Sequence, residues 1–209
     1  MAPPRTSQRT GQPGWTMMTA IHDALRRDLD QLIHTTASRA ARRARWGVFR
    51  GHLQYHLVTE DALMWRPARA RLAGDPRGQA LLDAMQDEHH LIGPLQAVAD
   101  DAFAMNAEPD RLARLLTRLQ TRLTSHLAHE EAEALPLVSQ IMTPAEVRRI
   151  SRAVRGGTTV PRAAATIPWA LAGAGPDVCH QVLSDLPGPA RVLYRAAWRP
   201  RHARSTPPL

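Results

Sequence analysis

Apolar residues return every three or four positions through four long stretches of the chain. That spacing places them on one face of an α-helix. In the first stretch, about 16–34, the stripe is Met18, Ile21, Leu25, Leu29 and Leu32, with His22 among them. In the second, about 38–65, Phe49, Leu53, His56, Glu60 and Leu63 share a face, and Pro67 predicts an end near Trp65. The third, about 75–105, opens with Asp75 as N-cap and Pro76 at the first helical position, and its stripe is Leu82, Met85, His89 and Ile92. Gly93-Pro94 predicts a kink one turn after His89. The fourth, about 108–139, aligns Leu112, Leu115, Leu119, Leu123, His126, Glu130 and Leu137.

The flanks differ. Residues 1–14 are rich in Pro and Gly with no apolar period, and are expected to form a disordered arm. Beyond residue 140, Thr143-Pro144-Ala145-Glu146 is a helix start of capping-box type, and the helix should stop at Gly156-Gly157. A Pro/Gly/Thr-rich loop is expected next, then Ile167-Pro168-Trp169, then short helices at about 176–186 and 188–198. The last ten residues, 200–209, read as disordered. The predicted fold is all-α: an up-down four-helix bundle over residues 15–140, with a short helical C-terminal extension, residues 141–209, packing on it.

Composition agrees. Hydrophobic residues make up 44% of the 209, enough for a core, and aromatics only 4%. The basic residues are all arginine. Residues 140–209 hold ten arginines against three acids, a net of +7, and the rest of the chain is nearly neutral, so nearly all of the net charge of +8 belongs to the extension. Without interleaved aromatics or a helix-turn-helix signal, a nucleic-acid partner is disfavoured. No apolar run is long enough to span a bilayer, and the N-terminus carries no apolar signal segment. Cys179 is alone, which fits a reducing compartment, so a cytoplasmic protein is expected. The oligomeric state is left open.

The candidate chemistry lies on the apolar stripes. His56 and Glu60, like His126 and Glu130, stand four residues apart and so point the same way from one helix. His22 and His89 lie on the other two stripes. A lone histidine on an apolar face is usually a hydrogen-bonded core residue. Four of them with two bare carboxylates would be a heavy desolvation load without a compensating ion. The six residues are therefore the expected ligands of two metal ions, and mixed imidazole and carboxylate donors suit iron, with manganese or zinc as alternatives. His52, one turn before His56, is a candidate extra ligand or supporting residue, as are Tyr55 and His90. His129 falls on the outer face with Arg118 and Arg122 and reads as a surface residue.

These residues carry a resemblance. His22, His56-x-x-x-Glu60-Asp61 with Leu63 and Trp65, Glu88-His89, and His126-x-x-x-Glu130-Glu131 with Leu135-Pro136 resemble, in order and spacing, the hemerythrin-like (HHE cation-binding) family. The tail, with Ile167-Pro168-Trp169 and Leu193-Tyr194-Arg195, looks like extensions seen in actinobacterial members. The resemblance implies a non-haem di-iron centre that binds or reacts with peroxide, oxygen or nitric oxide, with a catalase-like activity as one form. Its alternative is a non-catalytic sensor or iron-binding module with the basic tail as output surface. Oxygen-carrying members place His-x-x-x-His on the third helix and His-x-x-x-x-Asp on the fourth. Gly93 and Glu130 depart from both patterns, which points away from reversible oxygen carriage.

Overall fold

The computed structural model describes residues 15–205, and among them every regular element is helical. The expected N-terminal arm, residues 1–14, and the last four residues, 206–209, lie outside the described part. Helix α1 runs Thr16–His34 and α2 Arg39–Glu60; a π-turn over Asp61–Trp65 leads into α3, Arg66–Arg71. Helix α4 is Pro76–Ala104 and α5 Pro109–His129; a second π-turn, Glu130–Ala134, leads into α6, Leu135–Ile141. The extension carries α7 (Pro144–Gly157), α8 (Val160–Leu171), α9 (Pro176–Ser184), α10 (Gly188–Leu193), a third π-turn (Tyr194–Trp198) and α11 (Arg199–Ser205).

The caps follow local chemistry. Ser38 Oγ accepts the backbone N–H of Ala41, and Asp75 accepts that of Arg77. Thr143 and Glu146 complete the capping box expected of α7. Helix α1 packs against α2 and α5, and α4 packs against the same two, which closes a four-membered ring.

The core of that ring is split in two. One cluster gathers Leu25, Leu29, Phe49, Leu53, Ile92, Leu119 and Leu123. The other gathers Trp15, Met64, Trp65, Met85, Ala134 and Val138. Buried polar residues lie between them: His22, His56, Glu60, His89, His126 and Glu130. The four rods run through the two clusters in alternating order. In α1 and α4 the Met64 cluster precedes the histidine, and in α2 and α5 it follows.

Each π-turn ends two residues before a proline: Pro67, Pro136 and Pro200. A proline within a helix clashes with the carbonyl four residues back and removes one N–H donor. The wider π-turn takes up both effects, as where Leu135 N–H reaches Glu130 O, five residues back. The rod therefore continues past Trp65 to Arg71 instead of ending there. The π-turns also insert a register shift. Met64 and Val138 are buried where an unbroken helix would bury Leu63 and Leu137, both only partly covered. Helix α4 continues unbroken through Pro94.

In the extension, the stretch expected as a loop before Trp169 is helical, because Thr159 caps α8 and Pro161 occupies its first turn. Residues 200–205, expected to be disordered, belong to α11, which packs on α8 and the third π-turn. Helices α8 and α9 pack on α1. Arg27 donates to the carbonyls of Ala172 and Trp169, and the Trp169 indole N–H donates to Asp28 Oδ2 at 2.7 Å.

Candidate metal centre

Two groups of donor atoms meet in the belt between the core clusters. His22, His56, Glu60 and Glu130 each bring one donor to within 4.8 Å of the others, and Glu60, His89 and His126 form a second such set. Glu60 belongs to both. The i,i+4 spacing delivers Glu60 beside His56, with His56 Nδ1 3.0 Å from Glu60 Oε1. His22 Nε2 stands 3.2 Å from Glu130 Oε2, and His89 Nε2 stands 3.6 Å from Glu60 Oε2. Glu60, Glu130 and His22 are fully buried.

Three of the histidines are oriented from behind by carboxylates. His22 Nδ1 lies 2.9 Å from Glu131 Oε1, His89 Nδ1 3.1 Å from Asp61 Oδ1, and His126 Nδ1 2.8 Å from Glu88 Oε2. A carboxylate accepts only from a protonated Nδ1, so in the neutral form each of these rings turns a bare Nε2 towards the centre. Arg26 in turn donates to Glu131 Oε1 at 2.9 Å.

Inside, the polar atoms lack proper partners. Both carboxylate oxygens of Glu60 and of Glu130, with Nε2 of His22 and of His56, are buried and make no aligned hydrogen bond. The close approaches between them are therefore contacts of distance and not of hydrogen-bond geometry. Each unsatisfied group costs about 1–3 kcal/mol. Titration reflects the same conflict. Burial, reinforced by Glu130 and Asp61, pushes the Glu60 carboxyl well above the usual carboxylate range. Burial, reinforced by His22, His126 and His89, pushes His56 well below the usual imidazole range. Burial and His126 lower His89 to about 4. Burial also opposes the charge on His22, but Glu130 and Glu131 outweigh it and raise this histidine. A divalent cation would satisfy the orphaned oxygens and nitrogens at once, and imidazole with carboxylate is a donor set that iron, manganese and zinc all accept. The residues fit a metal.

The model of the hemerythrin HHE cation binding domain matches residues 14–138. The chain belongs to that family. No curated protein and no solved structure matches it. The matched segment of this hemerythrin-domain protein contains all six residues of the belt, and the extension lies outside it.

The remaining sequence candidates lie elsewhere. His52 is not drawn into the cluster as an extra ligand, because its ring lies flat on Trp169, with centroids 3.8 Å apart and planes 5° apart. Tyr55 Oη lies 2.9 Å from Thr158 Oγ1, and the Arg162 guanidinium covers its ring, so it serves the junction with the extension. His90 is exposed. Gly93 is exposed too, with no atom within 4 Å of where a Cβ would stand, so its position does not face the belt. His129, expected on the surface, is partly buried, because its Nδ1 lies 2.8 Å from Glu88 Oε1. Pattern reading missed Asp61, Glu88 and Glu131 as orienting groups. The available signal was adjacency: each carboxylate is next in sequence to a residue of the belt.

Proposed function

We propose that this hemerythrin-domain protein binds two iron ions in an up-down four-helix bundle and reacts with a small oxidant, namely peroxide, oxygen or nitric oxide. The observation that carries this reading is the shared position of Glu60 between the two donor sets. A carboxylate common to two sites suits a pair of ions, and bundle cores are where carboxylate-bridged pairs are built. In this reading His22, His56 and Glu130 hold one ion, His89 and His126 the other, and Glu60 joins them. The alternating passage of the rods through the two core clusters supports the up-down order.

An iron pair, when bound, supplies and accepts electrons for the oxidant. The chain's own residues bind, orient and exclude water. Asp61, Glu88 and Glu131 keep protons on the Nδ1 atoms of the rings they face, which leaves Nε2 free for a ligand role. The apolar clusters above and below keep bulk water from the belt. Catalase-like breakdown of peroxide is one form of this reaction. The lone Cys179 suits a reducing cytoplasm, and among the described residues no helix is long and apolar enough to cross a membrane.

A second reading, a non-catalytic sensor or iron-binding module, is favoured by one feature. Arg27 and Asp28 tie α8 of the extension to α1, the helix that carries His22, so the site and the basic surface share an element. The test is metal content of the purified protein with turnover of added peroxide. About two irons per chain, and turnover lost in Glu60→Ala and Glu130→Ala, is the expected result. Two irons without turnover favours the sensor. A folded protein that refuses iron refutes both readings, and preferential loading with manganese or zinc changes the metal assigned.

A further inference from the structure

A cavity of about 530 Å³ lies between the bundle and the extension, walled by α1, α2, α7 and α8 together with residues of the following helices. Its surface is mainly apolar, with Met18, Ile21, Ile150, Val154, Ile167 and Trp198 on it. His56 and Glu60 form part of the same wall, so the cavity reaches the metal belt. Its volume falls in the range of about 300–1,000 Å³ typical of small-molecule pockets. That is many times the roughly 30 Å³ a water molecule occupies in liquid, so peroxide or a diatomic alone leaves it largely empty. A mainly apolar wall with a few polar groups is the usual lining of a site for an apolar small molecule.

The few polar groups on the wall define what would fit. Thr166 Oγ1 is buried and has no hydrogen-bond partner. His52, Thr59 and the Tyr55–Thr158 pair supply further hydrogen-bonding groups. Arg155 and Asp185 also line the cavity, one charge of each sign, so neither selects a strongly ionic guest.

We propose that this cavity binds an apolar organic molecule carrying one neutral hydrogen-bonding group, with one end of the guest beside His56 and Glu60. The assignment rests on the metal reading only for what lies at that end; occupancy of the cavity does not depend on it. The extension then has a definite role: α7 and α8 form the outer wall of the binding site that the bundle leaves open.

The experiment titrates the full-length protein, iron-loaded and iron-free, with N-phenyl-1-naphthylamine, a neutral apolar dye whose emission rises out of water, followed by displacement with decanol. Iron content is measured on the same samples. Saturable binding of about one dye per chain, reversed by decanol, is expected. Ala163→Phe fills the cavity from α8 and is expected to weaken dye binding at least about tenfold with helix content unchanged. Val154→Phe fills it from α7 and serves if the first variant fails to fold. Thr166→Val keeps the volume but removes the orphaned hydroxyl, and is expected to weaken decanol about tenfold, the loss of one hydrogen bond to a buried group. No saturable binding, or binding that neither filling variant alters, overturns the proposal. Iron uptake without dye binding overturns the cavity assignment alone, and dye binding without iron uptake overturns the metal reading alone.

Discussion

His89 and His126 meet nitrogen to nitrogen, Nε2 to Nε2 at 3.1 Å, with their rings nearly perpendicular. Asp61 and Glu88 hold the opposite nitrogens, so both Nε2 lone pairs are directed into the same space. Without a cation they repel, unless one ring takes up a second proton or gives up its hydrogen bond to the carboxylate behind it. Metal should therefore stabilise the fold strongly. At a free metal concentration of about 100 times Kd the gain is about 2.7 kcal/mol, which for a chain of this size raises Tm by roughly 5–10 °C. Thermal melts with ferrous iron and with a chelator check this; a melt that ignores both would refute a metal site here.

Glu60 should show opposite effects in the loaded and the stripped protein. As the shared carboxylate, its replacement in Glu60→Gln is expected to lower iron content at both positions, whereas His22→Ala should affect one. In metal-free protein Glu60 is a buried carboxyl with two unsatisfied oxygens beside Glu130. Removing it in Glu60→Leu should stabilise the stripped fold by about 1–3 kcal/mol. Urea unfolding of the metal-free variant measures this, and a destabilised Glu60→Leu would mean that the carboxylate has a structural partner within the belt.

The orienting carboxylates should matter nearly as much as the residues they support. Glu131 is held charged: burial opposes this, but His22 and Arg26 bring its carboxyl down to about 2. Glu131→Gln and Glu88→Gln are expected to weaken metal binding by about 10- to 100-fold through loss of ring orientation. Glu133, whose side chain is 63% exposed, is the control, and Glu133→Gln should leave affinity unchanged. Competition with a chromophoric chelator gives the three affinities directly.

How far these features were legible in the sequence depends on what each residue's environment owes to its own helix. The four rods and the positions of His22, His56, Glu60, His89, His126 and Glu130 on their inward faces follow from a period of 3.6, and the structure brings all six into one belt. Leu63 and Leu137 were misplaced because the period changes at the π-turns that accommodate Pro67 and Pro136. Glu88, Asp61 and Glu131 were not recognised as orienting groups because each faces a histidine of another helix, a relationship no single-helix pattern contains. His52 shares the face of His56, yet its partner, Trp169, is more than a hundred residues away in the extension. The helices at 160–171 and 199–205 escaped because proline reads as a breaker, although it is tolerated in a first turn, as Pro161 is in α8.

The stack of His52 on Trp169 gives the last prediction. Burial is the main cause that lowers the His52 imidazole to about 4, so the ring is neutral in the folded protein at neutral pH. An unfolded histidine titrates near about 6.5. Between these values the unfolded chain binds more protons than the folded one, so stability is greatest above the unfolded pKa and falls as pH drops towards 4. Lowering the pH from 7 to 5 should cost up to about 2 kcal/mol through this residue alone. His56 and His89 are lowered as well, so the metal-free protein carries their contributions in the same direction. His52→Phe isolates the effect, since phenylalanine keeps a flat ring against Trp169 and cannot take a proton. The difference in urea-unfolding free energy between wild type and His52→Phe should shift towards the variant by that amount between pH 7 and pH 5. An unchanged difference would mean that His52 leaves the indole and is solvated as readily in the folded chain as in the unfolded one, and the junction between α2 and α8 would then rest on Tyr55 and Arg162.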